Sequence, residues 1–241
     1  YRTTEKDIQE FLDEVNIALD HADISRDEVS FFYGGLLPMS GYNLKTGNVQ
    51  IEKHYRLYDH KVMDNISGLL SVLSVKYTTA RGVAENAINL IIKKLGKKQV
   101  KSKSDSIRLV GGEIDDYDAF IGDATLKNSA NVDVGSMKHV LSCYGSEYKK
   151  LIEMGRDSDL MLRRVSDTLP ILNAEIIYAI REEMAEKLAD VVMRRTELGS
   201  AGKPDDRTLL ACAKLMATEK GWDKEIMEKE IKSVEHLFQA V

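Results

Sequence analysis

Lys76, Tyr77, Thr78 and Thr79 stand where the apolar run ISGLLSVLSV ends and a helical pattern begins. A chain passing from a strand into a helix leaves the first helical N–H groups without intrahelical acceptors. It also turns the positive end of the helix dipole outward. An ammonium and two hydroxyls beside that end suit an anion or an electron-rich carbonyl. Lys76 supplies full charge there, and Thr78 and Thr79 supply donors. A plainer alternative uses the same residues: Thr78 caps the helix, and Lys76 is a solvated lysine at a strand end.

Other chemistries find little support. His21, His54, His60, His139 and His236 are scattered without metal-ligand spacing. The acidic stretch GEIDDYDAFIGD lacks the order and terminal glutamate of a calcium loop. There is no G-x-S-x-G elbow, and the glycine pairs 34–35 and 111–112 lack the spacing of a dinucleotide fingerprint. Cys143 and Cys212 form no motif and read as two buried, reduced thiols, Cys143 as part of a core.

The elements that must hold the seam are read from periodicity. Thr4 and Asp7 resemble a capping pair before a helix carrying Ile8, Phe11, Leu12, Val15 and Leu19 at helical spacing. DEVSFFYGGLLPMSG reads as a strand entering a turn, and GNVQIEKHYRLYDH as one alternating strand. ISGLLSVLSV, almost wholly apolar, predicts an interior strand buried on both faces. The helix after Thr78 runs to about Leu95, with Val83, Ala84, Ala87, Leu90 and Ile91 on one side. Six lysines between positions 93 and 103 mark an exposed linker. From about residue 115 every pattern is helical. The longest, LPILNAEIIYAIREEMAEKLADVVMRRTELG, carries Ile177, Ile180, Met184, Leu188 and Val191 on one stripe, with Arg194, Arg195 and Gly199 at its end.

The fold class expected is therefore α+β: a small, incomplete α/β part followed by an all-helical domain. Boundaries fall at 1–97, a linker at 98–112, and 113–241. At 241 residues, 43% hydrophobic and 30% charged, the chain has the composition of a globular protein with a real core. A net charge of −5 gives no reason to expect nucleic acid as a partner. No apolar run approaches the roughly 20 residues that span a bilayer.

The segment SVKYTTARGVAENAINLIIKKLG resembles the closing strand and helix of the FAD-dependent glycerol-3-phosphate dehydrogenases and α-glycerophosphate oxidases, whose pattern is close to G-G-K-x-T-T-Y-R-x-x-A-E. Lys76, Thr78, Thr79, Arg81, Ala84 and Glu85 fall in register. LVGGEIDDYDAF resembles the family's L-P-G-G segment. EIIYAIREEMAEKLADVVMRRTELG resembles its C-terminal helices, which end near D-x-L-x-R-R-T-x-x-G. The order of motifs agrees through nearly the whole chain.

The resemblance implies a C-terminal portion of a longer enzyme that oxidises glycerol 3-phosphate to dihydroxyacetone phosphate by hydride transfer to FAD, with electrons passing on to a quinone or to oxygen. It implies FAD contacts from Lys76, Tyr77, Thr78 and Thr79, and substrate contact from Lys76. The 241 residues alone are expected neither to hold FAD tightly nor to turn over. A cytoplasmic protein is implied, with peripheral contact at the cytoplasmic membrane and a homodimer as open alternatives. Two positions depart from the family pattern. Leu37 stands where its G-x-R-P turn carries a phosphate-binding arginine, and Ser74–Val75 replace a glycine pair. His54 and Arg56 are candidate substitutes for the lost phosphate donor, or exposed strand residues. A second reading makes the helical part an interaction or oligomerisation module of a drifted flavoprotein relative. A third uses the lysines near residue 98 to bind acidic lipid.

Overall fold

The structure, a computed structural model, describes residues 2–20, 22–45, 49–74, 76–127, 132–156 and 158–240. The expectations placed on His21, on Gly47 and Asn48, and on Val75 lie outside these. By backbone packing the chain forms two units, 35–107 and 2–34 with 108–241.

In the first unit, β1 (Met39–Tyr42) pairs antiparallel with β2 (Val49–Ile51). β3 (Arg56–Asp59) pairs antiparallel with β4 (Leu70–Leu73), Arg56 facing Leu73 and Asp59 facing Leu70. A one-turn helix, α2 (His60–Met63), lies between β3 and β4; the Asp59 carboxylate accepts from the Lys61 N–H at its start. α3 (Ala80–Lys94) follows a short 3-10 turn at Tyr77–Thr79. It buries Val83 and Ala87 and stops at Gly96, whose positive φ of 63° closes the helix end. Lys94 pairs with Asp59, and the Asn86 side chain donates to the Tyr55 hydroxyl at 2.8 Å, which ties α3 to the β3 segment.

Three sequence expectations fail here. The run from residue 29 to 38 is irregular, and its strand starts only after Pro38, whose missing N–H and fixed φ delay pairing. GNVQIEKHYRLYDH is two strands in two different sheets. Glu52 parts them, turning inward to accept the Lys53 and His54 N–H groups where a straight strand would continue. β4 is not buried on both faces: among the described residues only β3 lies beside it, and Val72 is 49% exposed.

The second unit is helical: α1 (Glu5–Ala18), α4 (Tyr117–Leu126), α5 (Val134–Tyr144), α6 (Tyr148–Met154), α7 (Asn173–Arg181), α8 (Leu188–Asp190) running into a π turn at Val191–Arg195, α9 (Asp206–Lys220) and α10 (Lys224–Leu237). α1 begins with the expected capping box: the Asp7 N–H donates to Thr4 Oγ1 and the Thr4 N–H to the Asp7 carboxylate. This helix packs with the helical unit rather than with the strands. Phe31, just beyond it, stacks on Phe238 with ring centroids 5.6 Å apart, and Arg2 donates to the His236 carbonyl. α7 is buried from Asn173 to Ala179. Its Ile176 and Ala179 join one core with Leu188, Val191, Leu209, Cys212 and Met216, while Ala174 and Tyr178 join another with Met137, Leu141 and Leu151. A helix apolar on both sides is what a position between two cores demands.

The long helix expected over residues 169–199 is broken. α7 ends at Arg181, and Met184 adopts a φ of 60° and is 80% exposed rather than on the buried stripe. The Glu186 and Lys187 N–H groups then donate to the Asp190 carboxylate, which starts the next turn without any glycine or proline to announce it. Cys212 is buried as expected, but Cys143, near the C-terminal end of α5, is exposed.

Candidate functional site

The seam lies in the first unit. β4 ends at Leu73, Lys76 is extended (φ −136°, ψ 121°), and the 3-10 turn Tyr77–Thr79 leads into α3. Neither the 3-10 turn nor α3 is capped by a side chain at its N-terminus. The Thr79 hydroxyl donates back to the Lys76 carbonyl at 3.2 Å, which braces the turn instead of capping it. The cap residue of α3 is thus Thr79, one position beyond the plainer expectation for Thr78. The first N–H groups of the turn point along the axis with no intrahelical acceptor.

A cavity of about 490 Å³ opens beside this helix end. Leu36, Leu37 and Pro38 form one wall, Val72 and Val83 another, and Lys76 and Tyr77 its charged and aromatic rim. Lys76 is exposed, and Tyr77 is 99% exposed. The lining is therefore mostly apolar, with one ammonium and a helix terminus supplying the polar contacts. That composition suits a planar, partly apolar group carrying electron-rich oxygens. Downstream, Arg81 and Glu85 pair with each other along α3 at 2.9 Å.

The remaining candidates are placed differently. Arg56 forms an ion pair with Glu52 at 2.5 Å. Glu52 is 6% exposed, and its carboxyl is held below the usual range first by the His54 N–H, then by the Lys53 N–H and the Arg56 charge. His54 lines a separate hollow with Ser40, Gln50 and Glu52. Leu37 stands in the wall of the Lys76 cavity, so the position that departs from the family pattern faces the same space as the lysine. Sequence reasoning did not find Glu52, which sits in an alternating segment where a carboxylate reads as solvent-facing. Nor did it find the apolar wall of Leu36 and Pro38, which a turn signal hides.

The family described as the C-terminal domain of alpha-glycerophosphate oxidase matches residues 102–227, just over half of the chain. The chain belongs to that family. Similarity to the family's full-length relatives extends over the first unit as well. A glycerol-3-phosphate dehydrogenase of Synechocystis is 25% identical over 231 residues, 95% of this chain and 41% of that protein. The mitochondrial glycerol-3-phosphate dehydrogenase of Arabidopsis thaliana is 23% identical over 98% of this chain and 38% of its own length. The solved structure of the glycerol-3-phosphate dehydrogenase from Bacillus halodurans, complexed with FAD, has the same fold at a TM-score of 0.73 and 19% identity, over 99% of this chain and 45% of that one. The chain thus spans about two fifths of these relatives.

Proposed function

We propose that these residues serve as the C-terminal portion of an FAD-dependent glycerol-3-phosphate dehydrogenase. In this reading the unit 35–107 completes a flavin- and substrate-binding domain, and residues 2–34 with 108–241 form the helical domain. The observation that carries it is the cavity where the Lys76 ammonium and an uncapped helix terminus meet an apolar wall. Similarity to glycerol-3-phosphate dehydrogenases across 95% of the chain supports it.

The residues present fit a flavin. An isoalloxazine would lay its apolar face against Val72, Val83 and Pro38 and take donors for its carbonyl edge from the backbone at Tyr77, Thr78 and Thr79, of which Tyr77 lines the cavity. When bound, FAD supplies the hydride acceptor for the secondary alcohol of glycerol 3-phosphate. Lys76 then stabilises negative charge that develops at this edge, or binds a substrate oxygen. Its charge and the helix terminus are fixed before reaction, so little reorganisation is needed as charge grows. Tyr77 stands at the rim of the cavity, and the Thr79–Lys76 hydrogen bond keeps the turn in register. In this reading electrons leave to a quinone or to oxygen, and the protein works in the cytoplasm or at the surface of the cytoplasmic membrane, as a monomer or homodimer.

A second reading is favoured by one specific observation. Leu37 lines the cavity, and Arg56 is engaged by Glu52, so neither is free as a phosphate donor. A missing charge-assisted phosphate contact is worth about 2–5 kcal/mol. A relative drifted toward a substrate without a phosphate would tolerate both. Anaerobic titration of the full-length protein with glycerol 3-phosphate separates the two: bleaching of the flavin is the expected result. A flavin still oxidised at saturating substrate would favour the drifted relative and reject the dehydrogenase.

A further inference from the structure

The helical unit holds a second constellation of reactive groups, independent of the Lys76 cavity. α5 sets His139 and Cys143 four residues apart, on one face of the helix. Glu175, from α7, reaches across to His139, with Nε2 to Oε2 at 3.1 Å. The Glu175 side chain is only 1% exposed, and its other oxygen accepts the Leu172 N–H at 2.8 Å. Both carboxylate oxygens are therefore engaged and cannot swing away. The imidazole, 10% exposed, is fixed between this carboxylate and the sulfur. Cys143 Sγ lies 3.7 Å from Nδ1 and 3.9 Å from Nε2. Near-equal distances mean that the sulfur meets the charge spread over the ring rather than a single directed donor.

That charge is present at neutral pH. The Cys143 sulfur and the Glu175 carboxylate together push His139 up to about 10, against the opposing effect of burial. Cys143 is exposed, so a small oxidant can reach it. Cys212 offers the contrast within the same chain: it is buried in the core, its thiol pushed up to about 12 by burial.

We propose that Cys143 is a reactive thiol, a modification site for small hydroperoxides, with His139 and Glu175 as its positioning pair. In the reactive form Sγ carries negative charge opposite the imidazolium. Sγ attacks one peroxide oxygen, the O–O bond breaks and an S–O bond forms. The departing hydroxide takes the imidazolium proton and leaves as water. Ion pair plus hydrogen peroxide gives sulfenic acid, neutral imidazole and water; sulfur loses two electrons and the peroxide gains them. Glu175 holds the ring in place throughout, which keeps the proton where the leaving group appears. Cys212 is buried and does not serve as the resolving thiol.

The test treats the purified protein with dilute hydrogen peroxide at about pH 7, traps sulfenic acid with dimedone and locates it by mass spectrometry. The expected result is Cys143 labelled about tenfold faster than a free cysteine reference, because the imidazolium beside Sγ favours the attacking thiolate and supplies the proton for the leaving hydroxide, with Cys212 unlabelled. Unfolding the protein in urea should bring Cys143 down to the reference rate. His139→Gln, which removes the imidazole beside Sγ, should likewise bring the labelling of Cys143 down to about the reference rate. Glu175 is the other ionisable group facing His139, and Tyr144 faces both Glu175 and Cys143. A folded Cys143 no faster than free cysteine overturns the proposal, and so does a folded His139→Gln whose labelling rate matches the wild type. The wild-type rate decides alone if the variant does not fold.

Discussion

At the scale of single residues, the environment decides what each group does. His139 shows it most sharply, because its partners raise its pKa in the folded state from 6.5 to about 10. The Cys143 sulfur on its own helix and the buried Glu175 from α7 favour the charged ring, and Tyr144, itself raised by burial, faces the same carboxylate. A group whose folded value is raised adds stability that is fully present below the unfolded value and fades as pH climbs through the folded one. The window here runs from pH 6.5 to about 10. Urea denaturation of Cys143→Ser, which keeps the Glu175 pairing with no thiol to ionise against the ring, should show the midpoint falling as pH rises above 6.5, and adding His139→Gln should flatten the fall. Nothing in the sequence pointed to this pair, since His139 and Glu175 are 36 residues apart. The Thr4–Asp7 cap was readable for the opposite reason: both partners sit within one helical turn.

At the scale of elements, local patterns were legible wherever neighbours within the chain decide the outcome. α3 appears where the periodicity placed it, with lysines in its last turn and a glycine just beyond, as helix ends prefer. The strands were read less well, because a strand is defined by its partners, and a two-stranded ribbon leaves faces exposed that an apolar sequence reads as buried. The break after α7 was illegible for another reason. Ile180, Met184 and Leu188 continue the helical stripe, yet Met184 sits in the left-handed region where a side chain is strained. That conformation costs a non-glycine residue about 1–2 kcal/mol. Met184 is 80% exposed, so its side chain contributes little burial. Met184→Gly should therefore raise stability by about 0.5–1 kcal/mol after the extra entropy of an unfolded glycine is subtracted. Chemical denaturation checks this; a loss of stability would mean that the methionine packs against something that matters.

At the scale of the whole molecule, the α+β class and the family were legible from the order of modest motifs, and the family match over residues 102–227 agrees with that order. Among the described residues no helix is long and apolar enough to cross a membrane. The site was only partly legible. Lys76 and Tyr77 share a cavity with Leu37, whereas Arg56 is occupied by Glu52 and His54 lines another hollow. The mostly apolar lining of that cavity also accounts for the exposed Leu36, Leu37 and Val72, which an isolated globular unit would cover. The account rests on the Lys76 ammonium acting on an electron-accepting ring. Its most direct test is the two-electron midpoint potential of the flavin in the full-length protein, measured by dye equilibration for the wild type and for Lys76→Met. Lys76 is exposed, so the substitution leaves the fold intact. Loss of a charge that stabilises the reduced flavin should lower the potential by about 30 mV or more, equivalent to roughly 1.4 kcal/mol. An unchanged potential with FAD fully bound would contradict the placement of Lys76 at the flavin.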